Sequence, residues 1–124
     1  MNEAAKFLQV IADVDERLGK VVRDEMAHWH PDLPPIIVIF GYVGGEIELI
    51  FDSLSHADRT SLFALIEAGM QSADEDVAEA VATGLVESLV TGREVWGKLA
   101  PYCGPATRAH VGGWTTFECE PHNR

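Results

Sequence analysis

Two groups of side chains in this sequence are of the types that bind metal ions. The first is an H-x-H-x-D cluster formed by His28, His30 and Asp32. On a helix its two histidines would point about 200° apart, so they could share an ion only if the helix had ended. The second group contains thiols and imidazoles: Cys103, His110, Cys119 and His122. The spacings of seven, nine and three residues in this group match no standard zinc module. We therefore expect no bound metal, and we also expect no other cofactor.

A thiol nucleophile is the other chemistry that these residues could support. It requires a positioned base and polarised surroundings. Cys103 falls on a predicted loop between Pro101 and Gly104, and no nucleophile elbow surrounds it. The sequence also lacks the phosphate-binding loop G-x-x-x-x-G-K-[ST], the zinc motif H-E-x-x-H and the dinucleotide motif G-x-G-x-x-G. We therefore predict that the protein is not an enzyme, with a small thiol- or histidine-dependent enzyme as the alternative of another class.

The N-terminal segment contains no targeting signal. Residues 1–20 include four acidic side chains and lack the basic start and unbroken apolar stretch of a signal peptide. The longest apolar run, residues 36–40, is far shorter than the ~20 residues that cross a bilayer. We expect a cytoplasmic protein with no membrane partner, in which Cys103 and Cys119 are reduced thiols.

The charge balance excludes some partners and favours another. The chain has 20 acidic and 9 basic residues, a formal net charge of -11. Nucleic-acid phosphates and anionic membranes are bound by clusters of lysine and arginine, so neither is an expected partner. Within residues 31–92, eleven acidic residues accompany one basic residue, Arg59. Any electrostatic function therefore belongs to the middle of the sequence, where the expected partner is a basic protein.

Two sets of residues are candidates for binding that partner. The acidic set is Glu46, Glu48, Asp52, Asp74, Glu75, Asp76 and Glu79. The aromatic set is Tyr42, Trp29 and Trp96. Acids also suit the first turn of a helix, and core packing is the commoner fate of aromatic residues. Both interpretations stay open for each set, and the sequence predicts no oligomeric state.

Apolar periodicity predicts helices along most of a single domain, residues 1–124. Apolar residues recur three and four positions apart from residue 2 to about 28, which predicts one amphipathic helix. Further helices are predicted from Ser55 to about Gly69 and, with Ser72 and Glu75 as a capping box, from there through Leu89 to an end at Gly92. Short helical segments are predicted at 93–99 and 106–111. The side chains of 114–119 are expected to pack back on the bundle, and residues 121–124 to fray.

Residues 36–54 fit two structures. Their β-branched content and the Gly44-Gly45 pair are typical of a hairpin with a tight turn. Six apolar residues spaced by four, three, four, three and four positions are instead typical of one helix face: Ile36, Phe40, Val43, Ile47, Ile50 and Leu54. The pattern alone leaves both structures open, with the helix favoured.

Residues 33–89 resemble a known type of protein. The shared features are a Leu33-Pro34 entry, a Phe40-Gly41 step, and the helix sequences LFALIEAGM (62–70) and DEDVAEAVATGLVESL (74–89). These are similar to a domain-of-unknown-function family of small acidic bacterial proteins, some of which are immunity proteins of polymorphic or contact-dependent toxins. The resemblance implies an all-helical fold, and hence a helix at 36–54, and it implies no catalytic residues.

Together these observations predict a compact all-α bundle of five or six helices with HEAT-like antiparallel pairs. The expected function is that of a cytoplasmic immunity protein, which would cover the basic active-site surface of a bacterial toxin domain with an acidic face. Charged rims speed association and buried aromatic anchors hold a complex, so both candidate sets have a role in this mechanism. A phage-encoded inhibitor such as an anti-CRISPR protein is the alternative within the same class.

Overall fold

A computed structural model describes the backbone of residues 2–90 and 93–119 and the side chains of residues 2–90 and 96–113. This part of the chain contains seven helices and no strand. The first four are α1 (Glu3–Ala12), α2 (Glu16–Trp29), α3 (Ile36–Ile50) and α4 (His56–Met70). The last three are α5 (residues 75–89), α6 (Arg93–Leu99) and α7 (Pro105–Cys119). The all-helical prediction is therefore confirmed, with a helix and not a hairpin over most of residues 36–54.

The first apolar segment forms two helices, so the single helix predicted for residues 2–28 is wrong. α1 ends at Ala12, and Asp15 starts α2 by accepting the Arg17 amide at 2.8 Å. The Arg17 side chain binds the same carboxylate at 2.9 Å, and this hydrogen bond lowers the pKa of Asp15. A side chain that caps a helix offers the backbone an alternative to continuing the previous one. This break raises the helix count to seven, so the prediction of five or six is also wrong.

Side chains that accept backbone N–H groups also start α4 and α5. The Ser55 hydroxyl accepts from the Asp58 amide at 3.0 Å at the start of α4, as predicted. At α5 the N-cap is Asp74, which accepts from two amides of the first turn, whereas Ser72 accepts from the Asp74 amide. The carboxylate is the stronger cap because the positive end of the helix dipole favours a negative charge. The predicted capping box of Ser72 and Glu75 is therefore replaced by an Asp74 cap.

The central helix, α3, packs against α2 and against α5. Its predicted apolar seam is buried from Phe40 to Leu54 and half-buried at Ile36. Glycines bring α3 and α5 into close contact. A Cβ added at Gly44 would overlap the Leu85 carbonyl oxygen, and one added at Gly84 would lie 2.8 Å from the Ile37 carbonyl oxygen. Only a residue without a side chain fits these two positions in the present packing.

The fifth helix is not uniform along its length. Two α-helical ends, Glu75–Glu79 and Glu87–Leu89, enclose a π-helical segment, Ala80–Val86. Wider π turns of this kind are rare and occur frequently at functional sites. The π segment is the part of α5 that packs most extensively on α3. The π segment therefore lies at the contact between α3 and α5.

The C-terminal part agrees with the sequence in one helix and differs in the other. α6, Arg93–Leu99, matches the segment predicted at 93–99. α7 is longer than the predicted segment 106–111 and continues through Gly112 and Gly113 to Cys119. The start of α7 is bound to α4, because the Glu67 side chain of α4 accepts hydrogen bonds from the first turn of α7. The predictions for the side chains of 114–119 and for residues 121–124 lie outside the described part of the chain.

Candidate protein-binding face

The outer side of α3 is apolar and exposed. Val38, Tyr42, Gly45 and Leu49 are separated by four, three and four positions and therefore lie on one face of the helix. The exposed fraction is 39% for Val38, 54% for Tyr42 and 79% for Leu49, and a Cβ added at Gly45 would meet no atom within 4 Å. We call these four residues the α3 face. It extends over about 16 Å, or three helical turns.

Exposed apolar side chains are concentrated in one part of the sequence, which includes α3. Surface helices usually present polar residues to water on the side away from the core, whereas α3 is apolar there as well. Seven large apolar side chains are exposed among the residues with described side chains, and six of them lie between residues 26 and 49. These six are Met26, Trp29, Leu33, Val38, Tyr42 and Leu49. Three of them, Val38, Tyr42 and Leu49, share one face of α3, and exposed apolar side chains grouped on a folded domain mark an interaction surface.

Acidic residues border the α3 face. At 100° of rotation per residue, Glu46 and Glu48 lie roughly 80° to either side of it. Asp52 follows in the 3-10 turn after α3 and pairs with Lys98 at 3.0 Å, and Glu46 is within electrostatic reach of Arg17. Glu48 has no ion pair among the side chains that the structure describes. The structure thus places three predicted acidic residues beside one apolar stripe.

The single basic residue of the acidic middle segment does not neutralise this border. Arg59 donates from Nε to the Phe51 carbonyl at 3.0 Å and from Nη2 to the Asp52 carbonyl at 3.2 Å. Its guanidinium carbon lies 4.3 Å from the centre of the Phe51 ring. Arg59 therefore holds the turn that follows α3 through backbone carbonyls and a ring, and it forms no ion pair with a described carboxylate.

An open groove lies next to the α3 face, between α3 and α5. It has a volume of about 360 Å³. Its lining comprises Ile37, Val38, Gly41, Tyr42, Thr83, Gly84 and Ser88. Two of these, Val38 and Tyr42, also belong to the α3 face, and Thr83 and Gly84 come from the π segment of α5. The groove is mostly apolar, with the hydroxyl groups of Tyr42, Thr83 and Ser88 in its lining, which suits the insertion of a large apolar side chain.

The acidic residues at the start of α5 have a different setting. Asp74 is occupied as a helix cap, while Glu75, Asp76 and Glu79 are exposed and form no ion pair with a described side chain. Asp74 lines a shallow cavity together with Phe7 of α1. No contact described in the structure joins this acidic group to the α3 face, so the predicted acidic set forms two groups.

The three aromatic candidates also have separate positions. Tyr42 is at the centre of the α3 face. Trp29 is the last residue of α2 and is 36% exposed, just before the loop that carries the exposed Leu33. Trp96 is half-buried and packs against the hydrophobic core. Tyr42 and Trp29 are thus accessible to a partner, whereas Trp96 contributes to the packing of the bundle.

A second, larger cleft of about 610 Å³ lies between α4 and the 3-10 turn before α7. Its carboxylate, Glu67, accepts hydrogen bonds from the Ala106 amide at 2.8 Å and from the Thr107 amide and hydroxyl at 3.0 and 2.8 Å. Partial burial opposes ionisation of Glu67, but these bonds and one from Gln71 outweigh it, so its pKa is lowered. The Glu67 carboxylate therefore serves as the cap of α7.

The thiol in this cleft is not activated. Cys103 is buried, and burial raises its pKa to about 11, against a weaker opposing effect of Arg108. Its Sγ donates to the Leu99 carbonyl at 3.4 Å. The nearby His56 lies with Nδ1 3.0 Å from the Tyr102 hydroxyl. Cys103 is thus a protonated thiol at neutral pH, and the geometry does not make it a nucleophile.

The described side chains contain no group of three or more histidine, cysteine, aspartate or glutamate residues that could hold a metal ion. His28, His30 and Asp32 are exposed around the end of α2, and the side chains of Cys119 and His122 lie outside the described part. Across the described residues, every helix is too short or too polar to span a membrane. Comparison of the chain with protein-family models, curated proteins and solved structures gives no match.

The sequence did not predict three members of the α3 face, and it did not predict the neighbouring groove. Val38, Gly45 and Leu49 lie on the opposite side of α3 from the buried seam. The available signal was that α3 is apolar around most of its circumference, with Leu49 between Glu48 and Ile50. Such a pattern is typical of a helix that is covered on every side. The side that the domain leaves uncovered is visible only in the structure.

Proposed function

We propose that this chain is a protein-binding inhibitor that neutralises a basic partner, as a cytoplasmic immunity protein neutralises a bacterial toxin. The observation that carries this proposal is the α3 face, in which Tyr42 and Leu49 are exposed on the central helix of the bundle. Complete burial of a leucine-sized side chain contributes about 1.5–3 kcal/mol. A partner that covers the α3 face therefore gains free energy that the isolated domain leaves unused.

The charge distribution supports a basic partner. The chain carries a net charge of -11, and Glu48 beside the α3 face has no ion pair among the described side chains. Charges at the rim of an interface mainly accelerate association, and the effect weakens as salt is added. The exposed acids at the start of α5 add to the same long-range field. Glu46, Glu48 and Asp52 are therefore the near rim, and residues 74–79 contribute to steering.

The proposed mechanism is occlusion without chemistry on the partner. The α3 face buries its apolar side chains against the partner, with Trp29 as a second anchor at the end of α2, and the bound domain blocks the basic active-site surface. Anchors that become fully buried limit dissociation, while the charged rim sets the rate of encounter. The proposal includes no metal, cofactor or nucleic acid. We further propose that α4 and α5 form a HEAT-like antiparallel pair.

The direct test uses the product of the gene next to the one for this chain, which we expect to be the toxin, and asks whether this chain protects cells from it. That product is expressed alone, with the wild-type chain, and with a variant carrying Tyr42→Gln and Leu49→Gln. We expect growth to stop without this chain, to recover with the wild type, and to recover poorly with the variant. Glu3→Gln is the control, because Glu3 is exposed and pairs with Lys6 on α1. Growth that is the same with and without the wild-type chain would contradict the proposal.

A further inference from the structure

We infer that the element of the partner that docks on the α3 face is an amphipathic α-helix with lysine or arginine on both sides of its apolar stripe. This inference rests on the proposed function and names the recognised element. It follows from three features of the surface: the length of the stripe, the groove beside it, and the position of the acidic residues.

The shape of the surface selects a helix. The α3 face is a straight stripe on a helix, about 16 Å long, which matches three turns of a partner helix. Helices recognise such surfaces through apolar residues three and four positions apart. The alternative of adding a strand to a sheet edge requires a free strand, and the described residues contain none. A partner helix that lies along α3 covers Val38, Tyr42 and Leu49 together.

The groove next to the stripe provides the anchor position. Gly41 and Gly84 form its floor, where α3 and α5 pack closely, and Val38 and Tyr42 form the wall shared with the α3 face. A leucine or phenylalanine of the partner helix can enter this space of about 360 Å³. Binding energy concentrates in side chains that fill such pockets near the centre of an interface.

The position of the acidic residues determines the charge of the docking helix. Glu46 and Glu48 lie on opposite sides of the α3 face, so basic residues are required on both edges of the partner's stripe. Glu46 already has Arg17 within electrostatic reach, while Glu48 has no described ion pair. The stronger electrostatic contact is therefore expected on the Glu48 side, which adjoins the groove.

The same charges disfavour the other occupants of an apolar stripe. A second copy of this chain packed face to face would bring Glu46 and Glu48 against their own counterparts. The nearby bases are already engaged: Arg17 binds the Asp15 carboxylate, and Arg59 is held by the Phe51 and Asp52 carbonyls. Neither is free to relieve that repulsion. An anionic lipid surface is disfavoured for the same electrostatic reason. A cationic helix is the occupant that satisfies both the apolar stripe and its border.

The test uses synthetic helical peptides and the full chain. The probe is a fluorescent leucine–lysine peptide of about 18 residues with one apolar stripe, long enough to cover the α3 face. Two matched peptides separate its properties: in one, glutamate replaces lysine, and in the other, alanine replaces leucine. Fluorescence anisotropy gives the dissociation constant for each. We expect the leucine–lysine peptide to bind about tenfold more tightly than either matched peptide.

Variants of this chain locate the binding. Gly45→Gln puts a long side chain at the centre of the α3 face, and Gly45→Ala is the matched control because space is open around this position. We expect Gly45→Gln to weaken binding of the leucine–lysine peptide about tenfold and Gly45→Ala to change it less than about twofold. Glu48→Gln should weaken binding more than Glu3→Gln, which removes the same charge from α1.

The possible outcomes separate this inference from the proposed function. Equal binding of the three peptides, no binding of the leucine–lysine peptide, or equal binding to Gly45→Gln and wild type would overturn the inference. Peptide binding at the α3 face together with failure to protect cells would overturn only the proposed function. If the Gly45→Gln variant protects cells as well as the wild type, the proposed function would stand, but the partner helix would not dock on the α3 face.

Discussion

The Gly44 backbone lies directly against the Leu85 carbonyl group, where the central helix α3 meets the π segment of α5. A Cβ on Gly44 would overlap the Leu85 oxygen and lie 3.0 Å from its carbon. The next residue, Gly45, is rotated by about 100° around the helix axis and faces open space. Two adjacent glycines therefore have opposite roles: one permits close packing inside the domain, and the other lies in the α3 face.

This difference predicts opposite effects of the same substitution. Gly44→Ala should destabilise the protein by about 2 kcal/mol or more, because added atoms in a tight contact force the two helices apart. Gly45→Ala should stabilise it by about 1 kcal/mol, because alanine favours the helix over glycine. Chemical denaturation of both variants beside wild type measures the free energies of unfolding. Equal shifts in the same direction would show that α3 and α5 are not packed as described.

A second prediction concerns the cap of α7. Glu67→Gln should lower the free energy of unfolding by about 1–3 kcal/mol. The reason is that an uncharged amide oxygen replaces the carboxylate that accepts charge-assisted hydrogen bonds from the Ala106 and Thr107 amides. Thr107→Val removes only the hydroxyl contact and should cost less. Urea unfolding at pH 7 compares the three proteins. A loss for Thr107→Val that exceeds the loss for Glu67→Gln would contradict this account of the cap.

The same carboxylate gives a pH dependence. The folded state lowers the pKa of Glu67 below its ordinary value of 4.5, so its contribution is complete above pH 4.5 and is lost as pH falls through the lowered pKa. We expect the stability difference between wild type and Glu67→Gln to be constant from pH 7 to about 5 and to shrink at lower pH. A difference that does not change down to about pH 2 would exclude an ionised Glu67 as its source.

The sequence predicted elements whose signals are local and missed those that depend on contacts between distant residues. Ser55 and the apolar residues of α4 gave the start and the buried side of that helix. The break at 13–15 was missed because apolar spacing continues across it. The Glu67 cap was missed because its partners lie 39 and 40 residues away along the chain. The π segment has no characteristic residue type, so the sequence does not predict it.

A further prediction concerns the thiol in the second cleft. Since burial raises the pKa of Cys103 from an ordinary 9.0 to about 11, its thiolate fraction at neutral pH falls about a hundredfold. In a Cys119→Ser background, where it is the only thiol, Cys103 should react with iodoacetamide at least about a hundredfold more slowly than in the urea-unfolded chain. Equal rates in the folded and unfolded protein would show an accessible thiolate and revive the thiol-enzyme alternative.

Another prediction separates the two acidic groups. Changing Asp76 and Glu79 to lysine should slow association with the partner and flatten its salt dependence, since exposed charges act through long-range attraction. The dissociation rate and the free energy of unfolding should change little, the latter by less than about 0.5 kcal/mol. Association kinetics at two salt concentrations measure the effect against the product of the neighbouring gene. An unchanged association rate at low salt would limit these residues to capping and solubility.

The candidate site was predicted in part. Tyr42, Glu46 and Glu48 were chosen from the sequence for their type and charge, and the structure places them on or beside one helix face. Trp96 packs on the core instead, since an aromatic residue in a small domain serves either purpose. The sequence does not identify Leu49, because an apolar residue in an apolar helix carries no sign of exposure. Which side of α3 stays uncovered depends on where α2 and α5 pack.

The most direct measurement of the central claim is a comparison of stability and binding for Leu49→Gln. Leu49 is 79% exposed, so the free protein should unfold with a free energy within about 0.5 kcal/mol of wild type. Titration calorimetry with the purified product of the neighbouring gene should show a dissociation constant raised about tenfold or more, because the variant loses an apolar contact at the interface. A dissociation constant equal to that of wild type would contradict the assignment of the α3 face as the binding surface.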